Sequence, residues 1–89
     1  MVQLSQDSRE GVRAKVFECI AEVGGVELEM IREEHAWKDD LGMDSLDVLD
    51  LIMTLEREFD LKIPDSDAEE LTTVKLAVDY TFRRVTLAA

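Results

Sequence analysis

The chain has 89 residues and a net charge of −11, from 21 acidic against 10 basic residues, and 46% of it is hydrophobic. That length makes one domain (1–89) near the lower limit for a self-sufficient core, and the hydrophobic share excludes a disordered chain. The acidic field disfavours nucleic acid and anionic membranes as partners and speeds encounters with basic protein surfaces. Its self-repulsion predicts a stability that rises with salt. Four Gly and one Pro leave too few tight turns for a sandwich or barrel, so an all-α fold is expected. The single cysteine, Cys19, excludes an internal disulfide and fits a reducing compartment. With neither an apolar run of membrane-span length nor a signal-peptide core, a cytoplasmic monomer is expected.

Along the chain, Asp7 with Glu10 forms a candidate capping box opening the first helix. Val12, Val16, Ile20 and Val23 then recur at helical spacing, with Phe17 and Cys19 widening the stripe, and Gly24-Gly25 ends it. Residues 26–42 keep neither a helical nor a strand period. They predict a long connection, with local helical turns around 26–31, whose apolar residues, Trp37 among them, plug the top of a bundle. Asp44 is the N-cap of the second helix, with Asp47 at its third position. Leu46, Leu49, Ile52 with Met53, and Phe59 form the expected inward stripe, supported by Val48 and Leu55. Asp47, Asp50, Thr54, Arg57 and Glu58 share the opposite face, an acidic ridge that continues Asp44 and Ser45.

Residues 60–63 make a turn before Pro64. Ser66 with Glu69 resembles a further capping box, opening a short helix to Leu71. Thr72 or Thr73 then caps a last helix with an inward stripe of Val74, Ala77, Val78, Tyr80 or Thr81, Phe82 and Val85. The expected architecture is a small four-helix bundle, three longer helices and one short, with a long loop between the first and second.

Ser45 is the residue around which chemistry is to be sought. As a nucleophile it needs a base and an oxyanion hole, but the only histidine is His35, and no Gly-x-Ser-x-Gly elbow exists. No catalytic residue is assigned. Asp39, Asp40, Asp44 and Asp47 lack the calcium-loop spacing, and no Cys/His cluster suits zinc, so no metal site is assigned. A phosphodiester on Ser45 gains from the helix N-terminus but is opposed by the neighbouring aspartates. Periodicity alone favours the plainer reading, in which Ser45 assists a cap. His35 is expected in a solvated loop, and Cys19 as a small buried hydrophobe.

Asp44-Ser45-Leu46, preceded by Asp40-Leu41-Gly42 and followed by a Met-containing acidic helix, resembles the acyl carrier protein family. The likeness runs on through Glu56-Arg57-Glu58-Phe59, Ile63-Pro64-Asp65, Leu71-Thr72-Thr73-Val74 and Ala77-Val78-Asp79-Tyr80. It covers roughly residues 7–85. The resemblance implies that Ser45 carries 4′-phosphopantetheine, placed by a Mg²⁺-requiring phosphopantetheinyl transferase, and that the arm's thiol bears acyl groups as thioesters. It implies no enzymatic activity. Asp44, Asp47, Asp50 and Glu56 match the family's docking helix, which meets basic patches on acyl-transfer and ketosynthase-type enzymes of fatty acid or polyketide-type pathways.

Gly42 supplies backbone freedom before Ser45. Candidate pocket residues for an acyl tail are Leu46, Leu49, Ile52, Met53 and Leu55, opposite Ile63, Ala68, Leu71 and Ala77. Arg57 stands where the family frequently has an acidic residue, which implies a narrower set of partner enzymes. The rival readings are an aminoacyl or peptidyl carrier, which usually shows Gly-Gly near the serine where Met43-Asp44 stands here, and an acidic helical adaptor without an arm.

Overall fold

In the computed structural model, residues 8–88 are described. Four α-helices follow in order: α1 Arg9–Gly24, α2 Ser45–Phe59, α3 Asp65–Ala68 and α4 Val74–Ala88, with a 3-10 turn at Leu28–Met30. There is no strand among the described residues; a single antiparallel bridge joins Ala36 to Thr73. This is the expected bundle of three longer helices and one short.

Each helix end has a local cause. Ser8 is extended and its Oγ accepts the Gly11 N–H, so Ser8 caps α1; the expected cap Asp7 lies outside the described residues. Gly25 closes α1 at φ +66° with its N–H donated to the Ala21 carbonyl, a conformation that glycine adopts without a Cβ penalty. Asp44 and Asp47 form a reciprocal capping box at the start of α2, and Asp60 ends that helix at φ +53°. For α3 the expected Ser66–Glu69 box does not form. Pro64 is the N-cap instead, and its carbonyl accepts the Asp67 and Ala68 N–H groups. The fixed φ of proline starts the turn earlier and leaves Ser66 inside it. Thr73 caps α4, accepting the Leu76 N–H on its hydroxyl at 3.2 Å.

The core draws Val12, Val16, Phe17, Cys19 and Ile20 from α1, which packs against both α2 and α4. Val74, Ala77, Val78, Tyr80 and Thr81 come from α4, and Leu51, Ile52 and Leu55 from α2. Full burial of each large aliphatic side chain contributes about 1.5–3 kcal/mol. The α2 stripe is therefore rotated from the one expected. Leu46, Leu49 and Met53 lie outside, at 72%, 54% and 54% exposure, while Val48 and Phe59 pack against the buried Leu51, Ile52 and Leu55. Positions 48, 51, 52, 55 and 59 fall on one side of a 3.6-residue helix, and 46, 49, 50, 53 and 57 on the opposite side. Both sides carry apolar residues, and the side that also bears Asp50 and Arg57 is the one that stays in water.

The connection between α1 and α2 is ordered by bonds to distant parts of the chain. Arg9 reaches Glu33 at 2.7 Å and Asp79 at 2.8 Å, and Arg13 Nε meets the second oxygen of Glu33 at 2.7 Å. The Glu33 carbonyl accepts the Lys75 N–H, and the His35 carbonyl accepts the Val74 N–H. Glu33 thus ties α1 to the connection through its carboxylate, and the connection to α4 through its backbone carbonyl. His35 is half-buried, with Nδ1 accepting the Arg32 N–H, so it is more engaged than a solvated loop residue.

Candidate functional site

The turn before α2 is built to expose one serine. Gly42 takes φ +66°, a region closed to most side chains. Met43 next to it is almost wholly buried, and its N–H is donated to the Trp37 carbonyl at 2.9 Å. A Cβ at Gly24 would lie 3.3 Å from the Met43 sulfur, so the end of α1 leaves room for this anchor. With residue 43 held inward and Asp44 engaged in the cap, Ser45 emerges as the first residue of α2. It is exposed, and its hydroxyl makes no hydrogen bond among the described residues. A serine serving as a cap would bond a backbone N–H; here Asp44 does that work, and the Ser45 Oγ remains available.

Beside Ser45 opens a cleft of about 460 Å³, lined by Trp37, Lys38, Asp39, Val48, Ala68 and Leu71 among others. The Trp37 indole N–H is donated to the Leu71 carbonyl, joining its two walls. Tyr80 holds α3 in place: its hydroxyl donates to Asp67 Oδ2 at 2.7 Å and accepts from Arg84. Burial, and then the bond to Asp67, raise the Tyr80 pKa, so it remains a neutral donor.

The nine pocket candidates separate into three groups. Ala68 and Leu71 line this cleft. Ile52, Leu55, Ile63 and Ala77 are buried in the core, and Leu46, Leu49 and Met53 are on the outside. Sequence reasoning missed Val48 and gave Trp37 only a plugging role; the step of three from Ser45 is the signal that places Val48 on the cleft side.

The docking candidates also differ from one another. Asp44 Oδ1 accepts the Asp47 N–H at 3.0 Å and Asp47 Oδ2 accepts the Asp44 N–H at 3.3 Å, so both carboxylates are caps at the helix mouth. Asp50 is exposed. Glu56 is turned towards the following loop, where its carboxylate accepts the Ile63 N–H at 2.8 Å.

Cys19 is buried and its thiol is pushed up to about 11 by burial, with Glu58 adding to the shift. No helix among the described residues is long and apolar enough to cross a membrane.

The phosphopantetheine attachment site family matches residues 14–81 of this chain. The chain is also similar to acyl carrier proteins of three Chlorobium species. It is 47% identical to that of Chlorobium phaeobacteroides (strain DSM 266) over 73 residues, 82% of this chain and 94% of the relative. For those of Chlorobium luteolum (strain DSM 273) and Chlorobium phaeovibrioides (strain DSM 265) the identity is 48% and 47%, with the same coverage.

Proposed function

Because the chain belongs to the acyl carrier protein family and carries a covalent 4′-phosphopantetheine, we propose that Ser45 is the attachment residue. The observation that carries this reading is the free, exposed Ser45 hydroxyl at the mouth of α2, beside an open cleft. Its surroundings fit the group. A phosphodiester on Ser45 Oγ would gain from the positive end of α2, while Asp44, engaged in the cap, leaves the serine oxygen unencumbered. When bound, the arm supplies a thiol that holds acyl groups as thioesters. The protein's own residues do the rest: Gly42 and Met43 hold the serine outward, and Trp37, Val48, Ala68 and Leu71 offer an apolar wall to a tail.

In this reading the protein does no bond chemistry and presents its cargo to acyl-transfer and ketosynthase-type enzymes of a fatty acid or polyketide-type pathway. Asp44, Asp47 and Asp50 meet basic patches on those enzymes and on the phosphopantetheinyl transferase. Incubation with a phosphopantetheinyl transferase, Mg²⁺ and coenzyme A adds one arm mass to the intact protein, and Ser45→Ala abolishes the gain. A protein left unmodified by several competent transferases would overturn the proposal in favour of an acidic helical adaptor. Asp50→Lys slows arm transfer or partner turnover more than it lowers the melting temperature, because its side chain takes no part in the cap. An acyl tail that enters the cleft and parts the core residues raises the melting temperature with chain length, since it binds only the folded state.

A further inference from the structure

The outer face of α2 changes character along its length. Asp44, Asp47 and Asp50 occupy its beginning, and no Lys or Arg occurs between residues 44 and 56. Leu46, Leu49 and Met53 stand exposed beside and after them. Towards Phe59 two of the carboxylates are engaged elsewhere in the fold, while Asp60 stays exposed. Glu56 is bonded to the Ile63 N–H, and Glu58 pairs with Lys15 of α1 at 3.3 Å. Arg57, between them, points outward; so does Lys62 in the following turn, and neither has an ion-pair partner among the described residues. Together with Met53, Glu56, Asp60 and Leu61 they border an open groove of about 380 Å³. Arg57 and Lys62, free of ion pairs among the described residues, therefore stand beside Met53 and Leu61 and alternate with Glu56 and Asp60 at one end of a face whose other end carries carboxylates as its only charged groups.

We infer that this face docks with reversed polarity at its two ends: cations of a partner enzyme meet the Asp44–Asp50 end, and a carboxylate of the same enzyme meets Arg57 and Lys62 beside Met53. The inference rests on the carrier reading above and adds the chemistry of the second contact. Charge complementarity argues for it. A partner lined only with Arg and Lys would bring like charges onto Arg57 and Lys62, which disfavours the approach, whereas an Asp or Glu there gains a bond and fixes the direction of docking.

The sign of one charge reversal decides the matter. The arm-loaded wild type, Arg57→Glu and Arg57→Gln are compared as substrates of the ketosynthase-type enzyme, from the same organism, that best accepts the wild type. The reading is kcat/KM at low and high salt. Arg57→Glu lowers it by about fivefold or more, chiefly through KM; Arg57→Gln lowers it less, and salt compresses the difference. Arm attachment at Ser45, far along the helix, stays within about twofold in both variants. An unchanged or increased kcat/KM for Arg57→Glu would overturn the inference, because a uniformly cationic partner gains from added negative charge. Failure of the wild type to take up an arm is read separately by mass; it overturns the carrier reading, and the second contact falls with it.

Discussion

Trp37 donates its indole N–H to the Leu71 carbonyl, across the cleft beside Ser45. The pair is buried, and the Trp37 backbone N–H makes a second bond to the Thr72 carbonyl at 3.3 Å. The same Trp37 accepts the Met43 N–H, so one residue fixes both the wall of the cleft and the turn that exposes the serine. Trp37→Phe keeps most of the apolar contact but removes the indole donor from a buried carbonyl. The expected loss is about 1–3 kcal/mol, read by denaturant unfolding. A loss below a few tenths would show that the indole bond contributes nothing net. As the only tryptophan, Trp37 also reports on the cleft: its emission shifts when an acyl tail enters and stays put when the tail remains in water.

Acid should loosen the connection between α1 and α2 by protonating Glu33. Glu33 is held down to about 2, first by the hydrogen bond from Arg9 and also by that from Arg13. A carboxyl with a lowered pKa in the fold contributes stability that is complete above the ordinary carboxylate range and lost as pH falls through that range towards 2. Glu33→Gln removes this contribution at neutral pH, at a cost of about 1–2 kcal/mol for a partly exposed network. The variant's stability should fall less steeply than the wild type's below the ordinary carboxylate range. Parallel curves for the two proteins would show that Glu33 is not the group being titrated.

The Cys19 thiol should be silent where the arm's thiol is reactive. With its pKa pushed up to about 11 by burial, Cys19 holds almost no thiolate at neutral pH and is shielded by the core. A disulfide reagent at neutral pH should therefore find no fast thiol in the unmodified protein and one fast thiol after arm attachment. Fast labelling of the unmodified protein that disappears in Cys19→Ala would contradict this picture.

The four helices and their order were legible because stops such as Gly25, and caps such as Asp44, act within a few residues of themselves. The path of the connection was not. It depends on Arg9, Glu33 and Asp79, which are far apart in sequence and carry no periodic signal. The rotation of α2 failed for another reason. Apolar residues stand at 46, 49 and 53 as well as at 48, 51, 52, 55 and 59, so a helical period fits either side. Packing against α1 selects between them. The availability of the Ser45 hydroxyl follows from Asp44 taking the cap and Met43 taking the core, relations seen only in three dimensions.

The rotation of α2 has a direct thermodynamic consequence. If Leu46 and Met53 belonged to the inward stripe, truncating either to alanine would leave a cavity and cost about 2–5 kcal/mol, as for any buried Leu or Met. In the observed orientation both are more than half exposed, whereas Leu51 is fully enclosed. Leu46→Ala and Met53→Ala should therefore change unfolding free energy by no more than about 0.5 kcal/mol, and Leu51→Ala by about 2–5 kcal/mol. An exposed leucine and methionine beside Asp50 lose nothing to the fold when shortened, yet they remove apolar area from any surface that seats there. The same two variants should then weaken partner turnover while leaving the melting temperature in place, with Leu51→Ala doing the reverse at temperatures where it is still folded. A large stability loss in Leu46→Ala would return that residue to the core and take the outer face of α2 with it.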